Sequence, residues 1–300
     1  MRLALTGKTG FLGGILYQEL KNNNEVITIG RKKSDIIYDF RTESLDLPKV
    51  DVFVHCAGMA HILSPKEVDI NTFFEVNANY TYNLLKSIEL SKVPPNTFVF
   101  ISSVSVYGAI EGECIDETHD LRCQDPYGLS KLEAERITIK WCKENNVNCV
   151  ILRLPLVVGN NAPGNIRTLV EALKKGRFFK IGNGTAKKSM VLATDVAKLL
   201  PHLKDKEGIF NLTDGYHPSI SEFSNYLAKS LGKSEPYSIP LVFAKIASCV
   251  GDIIGDRFPL NSSKLQKISH TLTFDDTKAR KELLWESKPI LECKDLNFNY

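Results

Sequence analysis

A chain of 300 residues, 43% hydrophobic and 24% charged, can bury a full core and reads as one large or two modest soluble domains. Its net charge of +3, with Lys and Arg spread along the chain, is too small to argue for a nucleic-acid or membrane-surface partner. Seven cysteines, an odd number without a C-x-x-C pair, fit free thiols in a reducing cytoplasm, and the six histidines form no H-x-x-x-H or Cys/His cluster, so no metal is assigned.

The N-terminal apolar run is too short for a signal peptide and leads straight into a strand. Short β-branched runs predict strands over 2–6, 25–29, 51–56, 97–102 and 147–153, with helical patterns over 11–21, 72–90 and 127–144 between them. This alternation predicts an α/β fold of right-handed βαβ units, a doubly wound parallel sheet covered on both faces. The pattern loosens after Pro155. Loop signals at 160–164 and 181–184 precede helical patterns over 195–202, 221–231 and 241–254. Residues 1–157 are expected to form a dinucleotide-binding unit, with a return around 189–213, and 158–293 mostly a smaller α/β substrate-binding lobe. The longest later apolar stretch, 239–254, carries Lys245 and Asp252 and is too short to span a bilayer; it reads as a buried or partner-facing helix.

Between the first strand and first helix stands Thr6-Gly7-Lys8-Thr9-Gly10-Phe11-Leu12-Gly13. Gly7 permits a tight turn, Gly10 lets backbone approach a pyrophosphate, and Gly13 lets the helix pack close to the sheet. The helix start offers amide hydrogens and a positive dipole to phosphates. The second strand ends in Ile29-Gly30-Arg31-Lys32-Lys33. An acidic residue there suits a ribose 2′-hydroxyl, whereas a cation suits a 2′-phosphate, so NADP(H) is favoured and NAD(H) stands second. Asp39-Phe40, after a further short strand candidate, is placed to border an adenine.

The strand over 97–102 runs into Ser102-Ser103-Val104-Ser105-Val106-Tyr107-Gly108, and Asp125-Pro126 introduces Tyr127-Gly128-Leu129-Ser130-Lys131. Tyr127 and Lys131 at i, i+4 share one helix face, where the ammonium can hold the phenol near its anionic form. Two other Tyr/Lys pairs, Tyr17/Lys21 and Tyr82/Lys86, lack a strand-end hydroxyl before them and read as ordinary helix positions.

On these residues the chain resembles the extended short-chain dehydrogenase/reductase family of NAD-dependent epimerase/dehydratase type, which includes nucleotide-sugar epimerases, dehydratases and reductases. The likeness runs over nearly the whole chain, through 6–13, 54–57, Val76-Asn77, 102–108, 126–131, 153–159, 181–197 and 274–285. It implies a Rossmann domain, with Tyr127 as acid/base, Lys131 binding the nicotinamide ribose and lowering the tyrosine pKa, and Ser103 orienting the reacting oxygen. Asn77 would support the active site or the nicotinamide side, and Ala57-Gly58 would flank the dinucleotide. Thr9, Phe11, Leu12 and Pro155 complete the implied cofactor contacts. Asn165 and Lys188 match positions that contact the diphosphate of a nucleotide sugar, UDP-linked by the same resemblance.

Four positions depart from the family. Tyr80 replaces a frequent glycine. Lys188 replaces a common arginine, keeping the charge without the bidentate fork. Leu156 stands where UDP-galactose 4-epimerases carry a substrate-binding Asn. Leu284 replaces a glycine before Trp285. The expected activity is NADP(H)-dependent reduction of a 4-keto nucleotide sugar for surface-polysaccharide synthesis. The alternatives are an NAD-dependent nucleotide-sugar 4-epimerase and a non-catalytic dinucleotide sensor. A 4,6-dehydratase is disfavoured because Val104-Ser105 supply no titrating pair. The helices over 72–90 and 127–144 are those that would form a homodimer.

Overall fold

The apolar runs of the first half condense into one sheet. The computed structural model describes residues 1–41, 45–60, 70–255, 260–294 and 296–298. β1 (Arg2–Thr6) is followed by α1 (Phe11–Leu20), β2 (Glu25–Gly30), β3 (Ile36–Ile37) and β4 (Val52–His55). α2 (Ile70–Phe74) then passes through a π-helical turn, Glu75–Asn79, into α3 (Tyr80–Ser91). β5 (Thr97–Ser103), β6 (Gly112–Ile115), α4 (Pro126–Glu144), β7 (Asn148–Leu154) and β8 (Leu156–Val158) come next. They lead to α5 (Asn165–Lys174), β9 (Lys180–Ile181), β10 (Met190–Leu192), α6 (Ala193–Leu199), β11 (Gly208–Asn211) and α7 (Ile220–Ser230). The described chain ends with β12 (Ser238–Ile239), α8 (Leu241–Ile254), α9 (Ser262–Ser269), β13 (Leu272–Phe274) and α10 (Thr277–Glu282).

The central sheet has seven strands in the order β11-β7-β5-β4-β1-β2-β3, and every pairing is parallel. The order reverses between β1 and β4, so the carboxyl ends of these two strands open a crevice at the switch point. Alternate residues of each strand feed opposite cores, as the pleat requires. Leu3, Leu5, Val54, Val99 and Leu152 pack with α1 and α6, while Ala4, Phe53, Phe98, Phe100 and Ile151 pack with α3 and α4. A third core joins β8, β10, α5 and α7 through Val158, Ile166, Val170, Leu192, Phe223 and Leu227.

Two expected helices are reshaped. The one over 72–90 is interrupted by the π-helical turn. The one over 195–202 starts at Ala193 and ends at Leu199, passing into a 3-10 turn, Leu200–Leu203, through Pro201, which has no amide hydrogen to continue the ladder. β11 brings the chain back to the sheet edge beside β7.

Beneath α4 lies a buried ion pair. Arg153 Nη2 and Nε donate to Glu135 Oε2 and Oε1 at 2.7 and 3.1 Å, and each residue is 1% exposed. Ser102 Oγ donates to the same carboxylate, and Arg153 Nη1 donates to Tyr107 OH, which donates to Asn211 Oδ1. The network ties α4 to β5, β7 and β11. Removing one charge strands the other in a dry site, which costs about 3–5 kcal/mol. In urea unfolding, Arg153→Met should lose that amount, and adding Glu135→Leu should restore part of it. A double variant no more stable than the single one would refute the stranded-charge account.

Candidate active site

The site begins where β1 ends. Gly7 turns the chain at φ +82, and a Cβ on Gly13 would stand 2.1 Å from the Gly7 carbonyl oxygen. Gly13 is therefore demanded by packing of the helix on its own preceding loop, rather than on the sheet. Gly10 N donates to Gly7 O at 2.9 Å, and α1 begins without a side-chain cap or an acidic residue in its first turn. Its positive end stays available to an anion.

α4 supplies the second part. Asp125 caps it, accepting from Gly128 N at 2.9 Å, and Pro126 pre-sets the first turn. Tyr127, Lys131 and Glu135, at i, i+4 and i+8, form one stripe over the end of β5. Lys131 Nζ donates to Ile101 O at 2.7 Å, Glu135 accepts from Ser102 Oγ, and Tyr127 lines the cleft together with Ser103. Ser103 Oγ is braced by Ser105, donating to its Oγ at 3.1 Å and accepting from its N at 3.2 Å.

The electrostatics differ from the expectation that Lys131 lowers the tyrosine. Burial pushes Tyr127 up to about 12, with the Ser103 hydroxyl opposing. Lys131 is itself brought down to about 8 by burial, with Cys56 and Glu135 opposing. Its ammonium is committed to the Ile101 carbonyl. The phenol is thus held protonated at neutral pH. The two look-alike pairs lie outside the cleft: Lys8 Nζ sits over the Tyr17 ring at 4.1 Å, while Tyr82 is exposed and Lys86 pairs with Glu89.

A cleft of about 2380 Å³ joins these parts, far larger than the few hundred Å³ of a typical small-ligand pocket. Gly7, Thr9, Gly10, Phe11, Leu12 and Gly13 line one end, with Arg31, Asp39, Phe40, Ala57 and Gly58. Ser103, Tyr127, Lys131 and Pro155 line its middle, and Asn165 and Lys188 its lower lobe. Asp39 is paired with Arg41 at 3.0 Å. Phe40 is largely buried and stacks on Tyr80 at 6.1 Å between centroids, which gives the departure at Tyr80 a packing reason. Burial lowers the Lys188 pKa.

Asn77 does not line the cleft. From the π-helical turn its Nδ2 donates to Met59 O and Ser130 Oγ, both at 3.0 Å, and its Oδ1 accepts from Met59 N at 2.8 Å. It fastens the loop after β4 to α4, and a Cβ on Gly58 would stand 2.9 Å from its Oδ1.

A buried relay that the sequence reading did not find leads into this residue. Thr81 Oγ1 donates to Asn77 O at 2.7 Å, so it accepts from His55 Nε2 at 3.0 Å. That fixes the tautomer: His55 Nδ1 accepts from Thr6 Oγ1 at 2.7 Å, and Thr6 Oγ1 accepts from Cys56 N and Ala57 N at 3.1 Å each. Burial, aided by the Lys131 charge, lowers the His55 pKa to about 3. A histidine at the end of a buried strand, opposite a threonine at the end of its neighbour, is the signal that could have revealed it.

Comparison with known proteins gives the family. The chain matches the NAD dependent epimerase/dehydratase family over residues 3–212, and it belongs to that family of NAD(P)-dependent enzymes. It is 29% identical to UDP-glucose 4-epimerase from Vibrio cholerae, over 97% of this chain and 92% of that one. Its fold is similar to that of UDP-glucuronic acid 4-epimerase from Bacillus cereus in complex with UDP-glucuronic acid and NAD, with TM-score 0.75, 20% identity, and 97% and 95% of the two chains covered. It is also similar to RMD from Pseudomonas aeruginosa complexed with NADPH, with TM-score 0.74, 18% identity, and 97% and 96% covered.

The residues present fit a nicotinamide dinucleotide. Gly7 and Gly13 admit no side chain, the helix start above them is uncapped, and the cleft runs unbroken from there to Tyr127.

The relay carries a pH prediction. The folded-state pKa of His55 is depressed, so the unfolded chain binds the extra proton first. Its contribution is complete above about pH 6.5 and is lost toward pH 3, at about 1.4 kcal/mol per pH unit. His55→Gln, which can both donate and accept but does not titrate there, should flatten the acid limb of unfolding free energy by that slope. Identical slopes in the two proteins would show that His55 is not held neutral.

Proposed function

We propose that this chain catalyses NADP(H)-dependent reduction of a 4-keto sugar on a nucleoside diphosphate, UDP-linked, for surface-polysaccharide synthesis in the cytoplasm. The observation that carries this reading is the charge at the end of β2. Arg31, Lys32 and Lys33 line the cleft there. The first carboxylate downstream, Asp35, accepts from Thr28 N and Oγ1 at 2.9 and 2.7 Å and is not among the lining residues. A cationic strand end suits a 2′-phosphate, where an NAD site would present a carboxylate.

A bound nicotinamide would supply the hydride to the carbonyl carbon. The chain's own residues handle the oxygen. Tyr127, protonated at neutral pH as any phenol is and more firmly so for its burial, gives its proton to the oxygen that gains charge. Ser103, turning its hydroxyl hydrogen from Ser105 to the substrate while still accepting from Ser105 N, donates to that oxygen and orients it. Lys131 offsets the charge left on the phenol. Asn165 and Lys188 are assigned to the substrate diphosphate, Lys188 as a point charge. Leu156 gives the sugar an aliphatic neighbour, which favours reduction over strict 4-epimerisation.

A second reading, a nucleotide-sugar 4-epimerase, is favoured by the relative that bears that activity in its name. It uses the same residues, with hydride taken and then returned to the opposite face. A homodimer through α3 and α4 belongs to either reading; their exposed apolar residues include Tyr82, Leu90, Leu129 and Ile139.

Incubation with a UDP-4-keto sugar and NADPH should consume one NADPH per product alcohol. Interconversion of UDP-glucose and UDP-galactose without net NADPH oxidation would replace this reading with the second. Tyr127→Phe should lower turnover by about a hundredfold or more while NADPH still binds; near-wild-type turnover would end the proposed mechanism. Arg31→Ala should weaken NADPH about tenfold and leave NADH nearly unchanged. Equal effects on both cofactors would remove the 2′-phosphate assignment.

A further inference from the structure

The turn after β5 holds a second hydroxyl that the reaction leaves unmatched. Residues Val104–Tyr107 form a 3-10 turn capped by Ser103, whose Oγ accepts from Ser105 N at 3.2 Å. The turn is pressed against the start of α4. A Cβ on Gly128 would stand 2.7 Å from Ser105 O, and that carbonyl accepts from Gly108 N at 3.1 Å. Ser105 is thereby held beside the helical turn that presents Tyr127, and both residues line the cleft with Ser103.

Hydrogen-bond accounting then decides what Ser105 needs. Ser103 has one hydroxyl hydrogen, and it goes to Ser105 Oγ at 3.1 Å. The reaction takes that hydrogen away, because Ser103 must donate to the oxygen on which charge develops. Ser105 Oγ keeps its lone pairs and loses its donor. Its own hydrogen meets no acceptor among the described residues, where the bonds of Ser105 are those with Ser103 and Gly108. With substrate bound, Ser105 Oγ therefore asks for one donor and one acceptor. A hydroxyl supplies both from a single atom, a carbonyl or ether oxygen only accepts, and a C–H group does neither. Reach narrows the choice further. The reacting oxygen lies within hydrogen-bond distance of Ser103 Oγ, itself 3.1 Å from Ser105 Oγ, so the hydroxyl must stand close to the carbonyl. On a 4-keto pyranose the C3 hydroxyl is on the adjacent carbon and the C6 hydroxyl is on an arm that swings toward C4. The ring fixes the C2 hydroxyl a carbon farther off.

We propose that Ser105 is a specificity-determining residue, selecting sugars with a free hydroxyl beside the reacting carbon, at C3 or C6, by trading its bond from Ser103 for one from that hydroxyl. The inference rests on the role assigned to Ser103 at the reacting oxygen, which a reductase and an epimerase share. A substrate bearing the hydroxyl lets Ser103 turn without leaving Ser105 short of a bond. A substrate lacking it sets the two serines in competition, because Ser103 gives up a bond to Ser105 that nothing replaces. The penalty falls as Ser103 turns to the oxygen that gains charge, so it is felt in kcat more than in KM.

The test follows NADPH consumption with a UDP-4-keto-hexose and its 3-deoxy and 6-deoxy analogues, for the wild type, Ser105→Ala and Ser105→Thr. In the wild type at least one analogue should lose about tenfold in kcat against the parent, the size of one neutral hydrogen bond. The analogue that falls identifies the hydroxyl. In Ser105→Ala the three substrates should react alike, because Ser103 then has no bond to give up and the sugar hydroxyl has no partner. Ser105→Thr, which keeps the hydroxyl, should restore the discrimination. Equal reactivity of the three substrates in the wild type, or discrimination that survives in Ser105→Ala, overturns the proposal and leaves the reaction standing. If the wild type consumes no NADPH with any of the three, the same comparison is made on interconversion of the corresponding UDP-hexoses. Absence of turnover there as well overturns the role assigned to Ser103, and this proposal with it.

Discussion

The centre of the molecule depends on one buried carboxylate. Glu135 cannot stand in a dry core without a cation, and Arg153 cannot stand there without an anion, so each fixes the other. The consequence is geometric. Glu135 is one turn beyond Lys131 and two beyond Tyr127, so clamping it to β7 and Ser102 sets the rotation of the whole helix. Lys131 then meets Ile101, and Tyr127 takes its place in the cleft lining with Ser103. Two consecutive residues of β5, Ile101 and Ser102, are thereby engaged by two successive turns of α4. Glu135 also opposes the burial that lowers Lys131, helping a lysine brought down to about 8 to keep its charge near neutral pH.

A second, uncharged support reaches the same helix from the other side. Thr6, His55, Thr81 and Asn77 pass hydrogen bonds from the end of β1 to the π-helical turn, and Asn77 hands on to Ser130. Ser130 Oγ in turn donates to the Tyr127 carbonyl at 2.8 Å. The glycine loop and the tyrosine are thus joined by a chain of neutral groups, each with its donor and acceptor used. A helix held both by an ion pair and by such a relay has little freedom to rotate, and a proton donor that must meet one oxygen needs that fixity.

The inner strands were legible because parallel strands buried on both faces are nearly continuous apolar runs. The two-residue strands β9 and β12 leave too short a pattern to read, and the π-helical turn has no local signature. At the site, Tyr127 and Lys131 stood out through the serine before them and the proline introducing their helix. Glu135 did not, although it continues the same stripe, because a lone glutamate on a charged helix reads as solvated. Only the adjacency of β5 and β7 brings Arg153 over it. The sign of the tyrosine shift was equally hidden. It depends on how much water the fold removes, and here burial outweighs every neighbouring charge.

α8 shows a different limit. Its helical bounds were plain from the apolar run, but the run has apolar residues on most sides, so periodicity cannot say which side faces in. Packing decided, and it chose the small residues Ala244, Ser248 and Gly251 for the buried stripe. The bulky side chains were left outside by that choice.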